Sequence, residues 1–141
     1  MVEINYVANL IISILAMVFG FLWYGPLFGR KWMKLMGLSH KDLGEMKMNM
    51  GVTYFTAFIT TIVTVSVLSY FVNLAVIDEI NGASTFFSGA IVGFIVWLGF
   101  IATSTLGQFL WEGKPFSLYL LNNMHNLIFY LVVGGVLAVW V

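Results

Sequence analysis

The sequence predicts an all-α integral membrane protein: a four-transmembrane-helix bundle with a short amphipathic cytoplasmic surface helix between the first and second spans. Three observations carry this. The first is composition. Of 141 residues, 61 % are apolar and 9 % charged, with six Lys and Arg against six Asp and Glu. A soluble domain has about 25 % charged residues, so these charges cannot cover a soluble surface. The second is where the charges fall. Between them lie charge-free runs at 4–29, 48–77, 80–111 and 115–141. Each exceeds the roughly 20 residues needed to cross a ~30 Å hydrocarbon core. The third is charge asymmetry: every Lys and Arg lies in the loops after the first and third runs.

The same numbers exclude other classes. The chain is too apolar and too weakly charged for disorder. Its net charge of zero gives no basic field for nucleic acid. It has no Cys, hence no disulfide, thiolate nucleophile or Cys metal site. The whole chain, 1–141, is expected to be a single four-span membrane domain, with spans near 4–25, 52–77, 84–110 and 116–139.

The first span carries Asn5 and Asn9 one turn apart. It is expected to be retained rather than cleaved as a leader. Its start has Glu3 and no Lys or Arg, its apolar run is too long for a signal peptide, and no small-x-small site follows. Trp23, Tyr24 and Trp32 fall where an interfacial aromatic belt belongs, and Trp111 repeats this at the same face. Gly25-Pro26 is expected to stop or bend the span. Gly29 and Gly37 read as further breaks. Ser39 to Asp42 fits a capping box, so a short helix over about 40–49 is expected, with Leu43, Met46 and Met50 on one apolar face. It should lie on the membrane surface with its lysines toward anionic headgroups.

The second span carries Asn73. The third has Gly89-xxx-Gly93 and Gly99-xxx-Thr103-xxx-Gly107, small-residue stripes that allow close helix approach. Four spans put both termini on one side. With all the basic residues in loops one and three, the positive-inside rule places those loops in the cytoplasm and both termini outside, in a multi-pass protein of the plasma (inner) membrane.

The run Gly20 to Gly37, GFLWYGPLFGRKWMKLMG, resembles the start of the small membrane-protein family known as domain of unknown function 1761. The matching residues are Asn9, Trp23, Tyr24, Gly25, Phe28, Gly29 and Trp32, followed by Gly89, Gly93 and Gly99, then Tyr119 with Asn122. The resemblance spans nearly the whole chain. It implies a four-span fold with an Asn-containing first helix, a Gly-rich third and an Asn-containing fourth. It implies no activity.

No span contains Asp, Glu, Lys or Arg away from its ends. The ionisable candidate is His125, about nine residues, or ~14 Å, into the fourth span. At 100° per residue, Tyr119, Asn122, Asn123, Asn126, Tyr130 and Gly134 fall within about 120°, with His125 on the shoulder. That face must meet protein or water rather than lipid. By depth, Gln108 should stand level with Tyr119, and Ser104 and Thr105 with Asn122 and Asn123. Three roles fit this set: glue between helices, a pocket for a small neutral or weakly ionic solute, or an intramembrane catalytic site.

Enzyme chemistry lacks its parts. There is no embedded carboxylate, no Cys and no HExxH, and His40 is the only other His, so neither metal nor cofactor is expected. The paired acids Asp78 and Glu79 read as a solvated turn. The segments GFLWYG (20–25) and GFIVWLG (93–99) hint at two copies of a two-span hairpin. The leading function class is a small solute-binding or transport-like membrane protein. The alternatives are a structural or partner-binding membrane subunit and a lipid-modifying enzyme. Expected partners are membrane lipids, a small solute and a second copy of the chain. A homo-oligomer is expected because four helices alone enclose little space.

Overall fold

The computed structural model describes residues 4–45, 49–77 and 85–140. Four helices are long and apolar enough to cross a membrane: Tyr6–Leu27, Met50–Ala75, Phe86–Leu110 and Phe116–Val139. They are spans one to four. In lipid each backbone polar group must be satisfied within the helix, so runs of this length have few alternatives to helix. The side chains facing outward, such as Phe21, Phe55, Ile95 and Leu120, are apolar and exposed on every span, as lipid requires.

Span four is the most buried and touches each of the other three. Its closest neighbour is span three. Gly89 and Gly93 lie directly against the backbone of Gly134 and Tyr130, so closely that a Cβ at either position would overlap a carbonyl oxygen. This is the small-residue contact that lets membrane helices gain dispersion energy without a hydrophobic driving force. The apolar centre is built where spans one, two and four meet, from Ile12, Val65, Leu68, Val72, Val133 and Leu137.

The second small-residue series makes no such contact. A Cβ at Gly99 would meet nothing within 4 Å, and at Gly107 only the Trp111 ring, at 3.7 Å. The cause is local. From Trp97 to Ala102 the helix widens into a π turn, which rotates everything after it relative to Gly89 and Gly93. The carbonyls of this stretch are covered one after another by hydroxyls. Thr103 donates to Gly99 O at 2.7 Å, Ser104 to Phe100 O, Thr105 to Ile101 O at 2.7 Å, and Tyr119 of span four to Ala102 O at 2.8 Å.

Span one also ends in a π turn, Trp23–Leu27. Pro26 has no N–H to give, and its ring crowds the carbonyl four residues back. The wider turn accommodates it, and Phe28 N–H reaches Trp23 O at 2.8 Å. Gly25-Pro26 therefore does not stop the helix, which runs on to Leu27; it loosens the last turn. The chain then reverses, and Gly29 passes so close to Tyr24 that a Cβ would lie 2.6 Å from its carbonyl oxygen.

Two short helices stand between spans one and two. The expected one starts at His40, capped by Ser39 and Asp42 in a reciprocal capping box, and runs to Gly44. Of the rest of the expected 40–49 helix, Glu45 is the C-cap and Asn49 is not helical, while residues 46–48 lie outside the described residues, as do the side chain of Leu43 and the acidic pair Asp78 and Glu79. Before it comes a helix that the glycines concealed, Gly29–Met36. Gly37, at φ 70°, is its left-handed C-cap rather than a break in a loop. Arg30, Lys31 and Lys34 are exposed on this helix, while Trp32, Met33, Leu35 and Met36 are partly buried. At the same end, spans three and four are joined through Gly113, also left-handed at φ 68°. This is the basic end of the bundle.

At the opposite end Asn5 caps span one, accepting from Ala8 N–H at 3.0 Å and donating to Trp140 O at 3.4 Å. Thr85 and Ser88 form a capping box for span three. The two tryptophans that open the π turns stand at different distances from these caps, which does not match an exact two-copy hairpin.

Candidate functional site

The polar arc of span four divides between two neighbours. One half belongs to span three. Asn123 donates to Thr105 Oγ1 at 3.0 Å and to Tyr119 O at 3.1 Å, and Tyr119 reaches Ala102 O. Tyr130 and Gly134 complete this half at the glycine contact. Thr105 thus stands level with Asn123, as depth predicts. Ser104 instead turns outward onto its own helix. Gln108 is half-buried and makes no side-chain hydrogen bond among the described residues. The Asn123 amide nitrogen and the Tyr119 hydroxyl are paired here, while Asn123 Oδ1 is buried without a protein partner.

The other half faces span one and is different. Tyr24 donates its hydroxyl to Asn122 Oδ1 at 2.9 Å. His125 lies flat on Phe19, with ring centroids 4.8 Å apart and planes 7° apart. Trp23 and Tyr24 approach it at 5.8 and 5.2 Å. Nδ1 of His125 pairs with Asn126 Oδ1 at 3.3 Å. Nε2 is buried and has no partner in the protein. Aromatic rings at these separations hold the imidazole by tilted and offset contacts.

The reading of Trp23 and Tyr24 as interfacial belt residues needs correction. Trp23 is only 7 % exposed and packs on Phe28 and Phe19 as well as His125. The π turn swings both rings inward. Trp32 stands edge-on to Tyr24 at 5.9 Å and closes the box toward the basic end. Trp111 is the residue that does lie outside, at 87 % exposure. Gly25 is exposed, with open space where a Cβ would stand.

Beside this box runs a groove of about 720 Å³ between spans one, two and four. That lies inside the usual range for small-molecule pockets. Its floor holds His125 and Phe129; its walls include Gly20, Tyr24, Tyr54 and Thr61. It carries no charged side chain. Thr61 donates to Ala57 O at 2.8 Å and also meets the Met17 sulfur, and Thr53 donates to Asn49 O. A second groove of about 260 Å³, wholly apolar, lies between spans one and four and shares Ala16 and Phe129 with the first. Among the described residues no three His, Cys, Asp or Glu side chains converge, so the groove's chemistry is that of neutral groups.

Gly20, which the sequence reading did not place among the site residues, adjoins His125. It matters through space rather than chemistry: a Cβ there would stand 3.7 Å from His125 Nε2. Its place one turn before Tyr24 was the available signal.

The remaining polar residues lie between spans one and two. Asn9 is 2 % exposed, and neither of its amide atoms has a protein partner. Ser13 donates to Asn9 O at 2.7 Å, and Asn73 to Ser69 O at 2.8 Å. Each span thus buries an Asn and a Ser four residues apart, in opposite order, as antiparallel helices require.

Outside the membrane, the Ser39 backbone N–H and then its hydroxyl donate to the Asp42 carboxylate, holding its pKa below the usual value.

Fold and site together define an integral membrane protein of four spans, with an aromatic-walled imidazole at the edge of a neutral groove. Comparison with known families then places it: a model described as protein of unknown function (DUF1761) matches residues 7–138, and the chain belongs to that family. No curated protein and no solved structure matches it.

Proposed function

We propose that this protein is a small solute-binding or transport-like membrane protein, and that its site is the groove beside His125. The observation that carries the reading is the buried Nε2 of His125, which has no protein partner and belongs to a side chain lining a groove of about 720 Å³. A buried polar atom without a partner costs about 1–3 kcal/mol. A solute that supplies the missing hydrogen bond recovers that cost. The groove is formed by membrane-spanning helices, so the solute it would meet is one that dissolves in lipid. Its uncharged lining selects a weakly polar solute over an ion.

Two further parts belong to this proposal. The basic residues of loops one and three support a cytoplasmic placement of that end in the plasma (inner) membrane, with both termini outside. A homo-oligomer belongs to the same reading, because four helices alone enclose little space.

The test is thermal unfolding in nanodiscs with a set of neutral aromatic alcohols, on wild type and Thr61→Phe. The phenyl ring fills the groove away from His125. The reading expects at least one compound to raise the Tm of wild type and leave the variant unmoved. Equal shifts in both proteins, or none in wild type, would overturn it.

A further inference from the structure

We infer that the groove recognises a hydrogen-bond donor: a neutral molecule with an apolar body and one hydroxyl, an alcohol or phenol, whose O–H is donated to Nε2 of His125. This deepens the reading of the groove as a solute site and rests on it.

The argument starts at the other ring nitrogen. Asn126 presents its amide oxygen to Nδ1 at 3.3 Å. With the amide in that orientation its oxygen accepts, and Nδ1 carries the ring proton. In the neutral imidazole the second nitrogen is then an acceptor, and Nε2 is the atom left without a partner. The ring cannot turn to exchange the two nitrogens freely, because Phe19 lies flat on it and Trp23 and Tyr24 close its edges.

Of the groove's other polar groups, Tyr54 is exposed and three have given their protons to protein acceptors. Tyr24 gives its hydroxyl to Asn122, and Thr53 and Thr61 give theirs to carbonyls of their own helix. Gly20 adjoins this nitrogen: a Cβ there would come to 3.7 Å from Nε2, so its absence keeps one more methyl group off the acceptor. A cation would also donate, but no carboxylate lines the groove to offset its desolvation. A carboxylate or a ketone would set acceptor against acceptor. An uncharged hydroxyl on an apolar frame fits both the atom and the walls.

The experiment compares 2-naphthol with 2-methoxynaphthalene, which differ in the donor proton and a methyl group. Binding is read by fluorescence titration in nanodiscs, relative to empty nanodiscs. Wild type should bind 2-naphthol about tenfold more tightly, the ratio that one net hydrogen bond supplies. His125→Phe keeps the ring on Phe19 and removes Nε2, so the preference should vanish. Gly20→Ala leaves His125 in place and crowds its acceptor, so 2-naphthol should weaken while helix content holds. Nitrogen NMR of the imidazole checks the premise without any ligand: Nδ1 should carry the proton. Equal affinity for both compounds, abolished in each case by Thr61→Phe, would overturn the donor inference and leave the solute site standing. No binding of either compound would overturn both. A proton found on Nε2 would overturn the inference alone.

Discussion

Gly93→Ala adds one methyl group to the tightest contact in the bundle. The new Cβ would overlap the Tyr130 carbonyl oxygen and lie 2.7 Å from the carbonyl carbon, where ordinary contact begins at 3.4 Å. Both atoms are backbone of a central helix, so no side chain can swing aside. Spans three and four must part by several tenths of an ångström at the least. Overpacking of this kind costs about 1–3 kcal/mol. A gap of 0.5–1 Å forfeits a quarter to a half of each nearby dispersion contact, at about 0.1–0.2 kcal/mol apiece. Over some twenty atom pairs that adds roughly 1 kcal/mol. The expected loss is therefore about 2–4 kcal/mol. Gly99→Ala on the same span is the control, because its Cβ meets nothing within 4 Å. It should be neutral or stabilise by up to about 1 kcal/mol, through helix propensity. Reversible unfolding in mixed micelles gives both values. Equal stability of the two variants would refute the packing of span three on span four through this face.

Three other outcomes follow from the same contacts. A double-mutant cycle on Asn123→Leu and Thr105→Val should return a coupling of about 0.6 kcal/mol, the average for such pairs in membranes, and a coupling near zero would mean the bond is not made. Tyr119→Phe removes the hydroxyl from the buried Ala102 carbonyl and should cost about 1–2 kcal/mol by the same unfolding assay; no loss would mean that carbonyl is satisfied elsewhere. Asp42 titrates below its usual range because Ser39 donates to the carboxylate. Its folded pKa is depressed, so the cap's contribution is present above the ordinary carboxylate pKa and lost as pH falls through the lowered one. Proton NMR of residues 39–44 should show the turn fraying only in that acid window, and Asp42→Asn should remove the pH dependence.

The spans were legible because charge is so sparse that its few clusters mark the ends. Span two starts at Met50 where hydropathy suggested 52, and span one runs two residues past Gly25. The Gly29–Met36 helix was hidden by its glycines. Gly29 is there for its close approach to Tyr24 and Gly37 for a left-handed cap, yet both read as breaks. The signal was available in Arg30, Lys31 and Lys34, which share one face opposite Met33 and Met36. The π turns were illegible. A helical wheel assumes a constant 100° per residue, and both turns break that assumption between the residues whose faces were being compared. The polar arc of span four was found as an arc, but a wheel gives directions and not neighbours. Only packing shows that Asn123 belongs to span three, and Asn122 with His125 to span one. Trp23 misled because an indole near a helix end is usually interfacial, while here a looser turn and a nearby imidazole draw it in.

The central claim is that the groove beside His125 is a solute site within the membrane. Photolabelling with a small uncharged aromatic diazirine in liposomes, followed by peptide mapping, tests it most directly. The account predicts label concentrated on Tyr54, Thr61 and Phe129, and displaced by excess 2-naphthol. Label spread evenly over lipid-facing positions such as Phe55, Ile95 and Leu120, with no displacement, would contradict it.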